Sequence, residues 1–376
     1  SPVRDLNCQG FAMVTSPVGL SVAELDTPAL IVDLDLLDAN IAFMIGMLHE
    51  RGVGWRPHAK AHKSPAVAHR LIAAGALGIT CAKLSEAEVY AASGIRDILV
   101  ANQVVGPIKT RHLANLALEA GVIVAVDNIA NAREIDAAAA SAGSRPRVVI
   151  EIDSGMGRAG VSGVAAAVAL AGEIRSLSHV RFAGVMAWEG HAVGIADAGD
   201  REREIRAAVG RLLAAVEAIR AAGIAVEIVS CGGTGTFATA SGIPGVTEVQ
   251  AGGGIFGDAF YRRLEVPVWP ALSLQVIVTS RPAPDRIVFD AGRKALDPST
   301  MPPEVVGIEG VSAVSLSAEH GTIRLESGRN RPHVGELLRL NVGYSDQAVH
   351  LHEHLIAVRK DRVVAVWPTL ARRKLQ

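Results

Sequence analysis

The sequence predicts an α/β protein: a (β/α)8 barrel of the TIM type followed by an antiparallel β domain. Three observations predict it. Short β-branched runs alternate with alanine-rich stretches between residues 54 and 254, and there are eight such units. Beyond about residue 266 the texture changes to short β-rich segments separated by Gly, Pro and Asp. Composition agrees, because 49% hydrophobic and only 4% aromatic residues make a core of Ala, Val, Leu and Ile. That suits a parallel sheet buried on both faces. A doubly wound sheet gives the same alternation; the count of eight favours closure.

The strand segments of the barrel are 53–60, 79–84, 97–102, 122–127, 147–153, 181–187, 225–231 and 247–251. Helical stretches at 64–75, 85–93, 107–120, 129–142, 162–176 and 200–222 lie between them. In the second domain the strands are 271–281, 286–290, 304–308, 311–316, 322–326, 335–340, 355–359 and 362–367. An apolar run at 27–34, ahead of a helix at 36–51, can pair into that domain and bring the two ends of the chain together. The organisation is therefore an N-terminal segment 1–25, a barrel 26–265 and a β domain 266–376. No low-complexity linker divides the halves, so a substantial interface is expected.

Net charge is −1, with no basic run interleaved with aromatics, which argues against nucleic acid and anionic membrane as partners. Charges interrupt every apolar stretch well before the ~18 residues a membrane span needs. Ser1–Asp5 lacks the basic-then-apolar form of a signal peptide. Cys8, Cys81 and Cys231 are odd in number and without CxxC spacing, which points to a reducing cytoplasm.

A barrel of this kind works at the carboxyl ends of its strands. The polar residues there are Lys60, Lys83, Asn102, Asp127, Asp153, Glu189 and the run Cys231–Thr236. Lys60 ends the first strand and is placed to form a Schiff base with an aldehyde. Arg56 and Lys63 crowd it with positive charge, which with desolvation favours the nucleophilic neutral amine. Gly233, Thr234, Gly235 and Thr236 follow the seventh strand as consecutive small residues, whose backbone N–H groups can converge on an anion. Gly253 and Gly254 can approach the same anion from the eighth strand. A lone lysine is usually a solvated charge and a lone glycine run usually a tight turn. Together at strand ends they read as a site for an aldehyde and a phosphate, which means pyridoxal 5′-phosphate.

The residues Arg56–Lys63 (Arg-Pro-His-Ala-Lys-Ala-His-Lys), Glu151–Val161, Gly232–Thr236 and Glu248–Gly252 resemble the D-threonine aldolase and D-serine dehydratase family. Its members share the alanine-racemase-type fold. Glu319–Gly321 and Val349–Val358 resemble the family's β domain, and the motifs run in order from about residue 25 to the end. The resemblance implies pyridoxal 5′-phosphate as cofactor, Lys60 as the lysine bonded to its aldehyde, residues 232–236 as phosphate binder and Arg158 near its ring. It also implies a small amino-acid substrate and a homodimer with sites at the subunit boundary. A divalent metal (Mn, Mg or Zn), held in the β domain by a His-x-Asp or His-x-Cys pair, belongs to the same pattern.

The departures bear on chemistry. Tyr344 and Asp346 stand at the metal-pair positions. Tyrosine, with a pKa of about 10, replaces imidazole poorly on a hard ion, and Asp346 alone would hold a metal weakly. His350, His352 and His354 have a spacing that invites a metal reading, but the surrounding pattern is that of an ordinary alternating strand. Where the family often shows Gln-Ala-Tyr-His-Gly, this chain has Met186-Ala-Trp-Glu-Gly190. Trp188 can wall the cofactor. Glu189, if desolvated, and His191 are the candidate general bases. The expected activity is a pyridoxal-phosphate lyase for D-configured β-hydroxy amino acids, D-threonine aldolase-like, with retro-aldol cleavage to glycine and an aldehyde. A D-serine or D-hydroxyaspartate-type dehydratase is one alternative. Another is a metal-free racemase or epimerase with Lys60 and Tyr344 on opposite faces of Cα; a non-catalytic carrier is disfavoured by the full β domain.

Overall fold

The computed structural model describes residues 16–328 and 331–376; Cys8 and the start of the N-terminal segment, with its signal-peptide test, lie outside the described residues. After β1 (Ala29–Asp33) come β2 (Gly54–Trp55), β3 (Ile79–Cys81), β4 (Asp97–Gln103), β5 (Gly121–Val126) and β6 (Arg147–Glu151). They are followed by β7 (Arg181–Met186), β8 (Ile228–Cys231) and β9 (Glu248–Val249). Strands β2 to β9 form one sheet in the order β2-β9-β8-β7-β6-β5-β4-β3, and every pairing in it is parallel. Each of the eight expected positions holds a strand.

The sheet curls until its edges meet. Leu77 N–H donates to Trp55 O at 2.8 Å, Thr80 N–H donates to Pro57 O at 2.9 Å, and His58 bridges Thr80 in parallel. Leu99, Ile123, Ala125, Val149, Ala183, Met186 and Ile228 form a small apolar cluster on the inner face. The alternate residues Ile98, Val100, Val122, Val124, Val148 and Ile150 belong to the larger core under the helices. Two-residue periodicity with both faces buried is why these strands read as continuous apolar runs.

The end of the barrel departs from eight regular strand–helix units. After β8 and β9 come only the short helices Phe237–Ala240 and Ala259–Arg263. The helix Leu34–Glu50, capped by the Asp33 carboxylate, packs over this gap. Its buried Asn40 donates to Ile255 O at 3.0 Å and Trp269 O at 2.7 Å, and accepts from Trp269 N–H at 2.7 Å.

The second sheet contains β10 (Leu272–Ala283), β11 (Arg286–Phe289), β12 (Glu304–Val305), β13 (Val311–Leu316) and β14 (Gly321–Leu325). It is completed by β15 (Leu337–Asn341), β16 (His354–Arg359) and β17 (Arg362–Pro368). Its main order is β13-β14-β11-β10-β1-β16-β17, with β15 joining β10 and β12. Strand β1 lies in its middle, antiparallel to β10 and parallel to β16. No described helix is long and apolar enough to cross a membrane.

Candidate active site

At the carboxyl end of the barrel, where the β domain faces it, lies a cavity of about 330 Å³. Its wall includes Lys60, His58, Asn102, Gln103, Glu151, Arg158, Trp188, Gly233, Thr234, Gln250, Gly253, Tyr261 and Tyr344. Lys60 sits on the single turn Ala59–Ala61 that follows β2, and its backbone N–H donates to His58 Nδ1 at 3.3 Å. Burial, with Lys60 and Lys63 adding like charge, pushes the His58 imidazole well below its ordinary pKa. His58 is thus neutral, with Nδ1 as acceptor and the proton on Nε2.

The cations expected to crowd Lys60 are engaged elsewhere. Arg56 Nε and Nη2 hold the Glu248 carboxylate at 3.0–3.2 Å, and Nη1 pairs with Asp97 at 3.1 Å. Lys63 pairs with the buried Glu86. The Lys60 ammonium instead meets Asp346 Oδ2 at 3.4 Å, reaching from the barrel to the β domain.

The glycine run after β8 turns sharply at Gly232, where φ is +73°. Thr236 Oγ1 accepts from Gly233 N–H at 3.0 Å, and Thr234 Oγ1 accepts from Gly254 N–H at 3.1 Å, so the two threonines brace the loops. The N–H groups of Thr234, Gly235 and Gly253 have no acceptor among the described residues. The N–H groups of Thr234 and Gly253, at the end of a cavity holding a lysine, fit a phosphate on a pyridine aldehyde. Close approach explains the glycines: a Cβ on Gly252 would lie 2.2 Å from His58 O, and one on Gly233 would lie 2.2 Å from the Trp188 ring. Trp188 thereby walls the cavity. Gly235, Thr236 and Gly254 lie outside the cavity wall and support it from behind.

Glu151, buried at the end of β6, accepts from Gln103 Nε2 at 2.6 Å and from Arg158 Nη2 at 3.3 Å. This orients Arg158 on the wall. Among the other strand-end residues, Lys83 precedes the helix Leu84–Ala92, Asp127 accepts from Gly160 N–H, and Asp153 accepts from Gly155 and Gly157 N–H. These three shape loops and do not line the cavity.

Neither candidate base lines the cavity. Glu189 lies beneath it, 1% exposed, accepting from Thr236 Oγ1, and burial raises its pKa. His191 points to the long helix Ala198–Ala221, with Nε2 2.9 Å from Glu204 Oε1. The chain turns under the loop just after Trp188, so consecutive residues leave the pocket. Both side chains are better suited to positioning than to meeting substrate. Sequence reading passed over His58, Tyr261 and Gln250; the fixed offset of His58 before Lys60 was the one available signal.

The alanine racemase N-terminal domain family matches residues 32–259, and a serine dehydratase domain matches residues 271–358. The chain is 40% identical over 365 residues to the D-threonine aldolase of an Arthrobacter species, covering 94% of each. It is 35% identical over 367 residues to the 3-hydroxy-D-aspartate aldolase of Paracoccus denitrificans, covering 95% of this chain and 94% of that one. The chain belongs to the D-threonine aldolase and D-serine dehydratase family. The crystal structure of D-threonine aldolase from Filomicrobium marinum superposes with a TM-score of 0.93 at 35% identity, over 96% of this chain and 100% of that one.

The positions at which the resemblance implies a metal pair hold Tyr344 and Asp346. Tyr344 O–H donates to Asp346 Oδ2 at 3.1 Å, and burial followed by the Asp346 charge raises the phenol's pKa, so it stays protonated. The described residues contain no group of three or more His, Cys, Asp or Glu able to hold an ion. Asp346 Oδ2 takes the phenol proton and the Lys60 ammonium and leaves Oδ1 without a hydrogen-bond partner, but one carboxylate beside a protonated phenol supplies too few ligands to fit a divalent cation. The expected strand through the histidines is also absent. His350 lies in the turn Val349–Leu351, His352 sits beyond it with Nε2 2.8 Å from Ala295 O, and β16 begins only at His354.

Asp258 anchors this corner, accepting from Ser345 N–H at 2.8 Å, Ser345 Oγ at 2.7 Å and Tyr261 N–H at 3.0 Å. Burial outweighs these bonds and pushes its carboxyl up to about 7 from an ordinary 3.8. Between those values the folded protein keeps a proton that the unfolded chain has lost. The associated stability is complete at the low end of that window and decays as pH rises through the folded pKa. Asp258→Asn loses an acceptor for Ser345, so its melting temperature falls. The fall is expected to be smaller near pH 7 than near about pH 4.5; equal falls at both would contradict a proton on Asp258.

Proposed function

We propose that the protein is a pyridoxal 5′-phosphate-dependent lyase that cleaves D-configured β-hydroxy amino acids to glycine and an aldehyde. The observation that carries the reading is the shared cavity: Lys60 opens into the same space as the unpartnered N–H groups of Thr234 and Gly253. The names of the relatives, aldolases for D-threonine and 3-hydroxy-D-aspartate, support the substrate class. Lys60 Nζ would hold the cofactor aldehyde, and the loops at 232–236 and 252–254 its phosphate. Arg158, fixed by Glu151, and Trp188 would bound its ring. Pyridoxal phosphate, when bound, supplies the electron sink for negative charge at Cα. What the chain must add is orientation of the bond to be broken and a hold on the β-hydroxyl.

The serine dehydratase match over the β domain favours a dehydratase as the second reading. Incubation of the holoenzyme with D-threonine, D-phenylserine and D-serine separates the two. Glycine plus an aldehyde is the expected result. A keto acid plus ammonia would select the dehydratase, and a pure change of enantiomer would replace both by a racemase. We also propose a homodimer, measurable by sedimentation, and a reducing compartment. The buried free thiols of Cys81 and Cys231 support the latter.

A further inference from the structure

We propose that Tyr344 and Asp346 hold the substrate β-hydroxyl by direct hydrogen bonds at the position of the family's metal pair, so that this enzyme grips that hydroxyl without a divalent ion. The inference rests on the lyase reading above. Its first support is position. An amino substrate brings its nitrogen to the place of Lys60 Nζ, and its β-oxygen lies roughly 3 Å from that nitrogen along two ordinary carbons. Asp346 Oδ2 stands 3.4 Å from Nζ, and Tyr344 O–H is 3.1 Å beyond that oxygen. A hydroxyl both donates and accepts. Here it would donate to the carboxylate in a charge-assisted bond and accept from the phenol.

The second support is that the pair is held rigidly. The Tyr344 ring meets Phe260 edge-on at 5.1 Å and Tyr261 at 5.9 Å, and Ser345, between the two partners, is tied to Asp258 by backbone and side chain. The third is the donor chemistry. A divalent ion at this place would find one carboxylate, Asp346, and a neutral phenol in place of an imidazole. Hydrogen bonds suit that set of groups and a metal does not.

The holoenzyme, wild type and Tyr344→His, is titrated with Mn²⁺ and followed by electron paramagnetic resonance, a readout that needs no turnover. Wild type is expected to bind no stoichiometric Mn²⁺ and to keep its turnover after chelator treatment, while Tyr344→His gains a bound ion. One equivalent of Mn²⁺ in the wild type, lost with activity on chelation, would overturn the proposal, as would a Tyr344→His protein that also binds none. A second arm titrates the cofactor absorbance of Tyr344→Phe with D-serine and with D-alanine, which lacks the hydroxyl. Loss of one hydroxyl-specific hydrogen bond should weaken D-serine by about 10-fold and leave D-alanine unchanged. Equal effects on both would mean that Tyr344 does not read the hydroxyl. Failure of the lyase reading shows itself separately, as absence of aldehyde from the wild type with the Mn²⁺ result intact.

Discussion

Lys60→Ala is expected to yield a folded protein that reconstitutes without the visible absorbance of a lysine-bound pyridoxal and turns over at least about 10⁴-fold more slowly, the scale seen when a covalent residue is removed. The fold should survive, because the Lys60 side chain is 43% exposed and its one ion pair crosses to Asp346. The single turn that carries it is held by its backbone and by the His58 cap. A solvent-screened pair of this kind contributes little to stability. Absorbance after reconstitution and borohydride labelling read the bond directly. A variant that kept the chromophore would remove Lys60 from the chemistry, whatever its rate.

Glu248→Ala is expected to lower stability by about 3 kcal/mol, the low end of the cost of breaking a buried ion pair, because Arg56 keeps Asp97 as its second partner. The Arg56 guanidinium is 3% exposed, and Glu248 takes both Nε and Nη2. Arg56 directly follows β2, four residues before Lys60, and Glu248 begins the neighbouring β9, next to the seam where the barrel closes. The destabilisation should therefore appear together with weaker cofactor retention, because the turn that carries the lysine follows closely on the closing strand. Denaturant midpoints with and without pyridoxal phosphate measure both. A midpoint unchanged from wild type would mean that water reaches Arg56 and that this closure does not depend on the pair.

These two residues also mark what could be read from the chain and what could not. The eight barrel strands and the eight strands of the second domain were legible, since β-branched runs bounded by Gly, Pro and Asp leave a local signature. That Lys60 and the loop beginning at Gly232 meet at the strand ends was legible for the same reason, each following closely on a strand. The short helices after β8 and β9 were not, because the covering helix Leu34–Glu50 comes from the other side of β2 in sequence. Nor was the contact between Lys60 and Asp346, which are far apart in the chain and share no pattern. That Glu189 and His191 turn away from the cavity was not legible, because side-chain direction after a strand depends on a turn that composition does not encode. For His350–His354, alternation suggested a strand where the helix Ser345–Ala348 continues into a further turn.

Strand β1 gives the two sheets a shared history of assembly. It lies between β10 and β16, yet more than two hundred residues of barrel intervene before either neighbour is made. The second sheet must wait, with a gap at its centre, for a piece that left the ribosome first. Pairings of such long sequence separation form late and slowly. Severing the chain near residue 266 would leave one fragment with an unmatched strand and the other with a cleft in its middle, so neither half is a unit that can be borrowed alone.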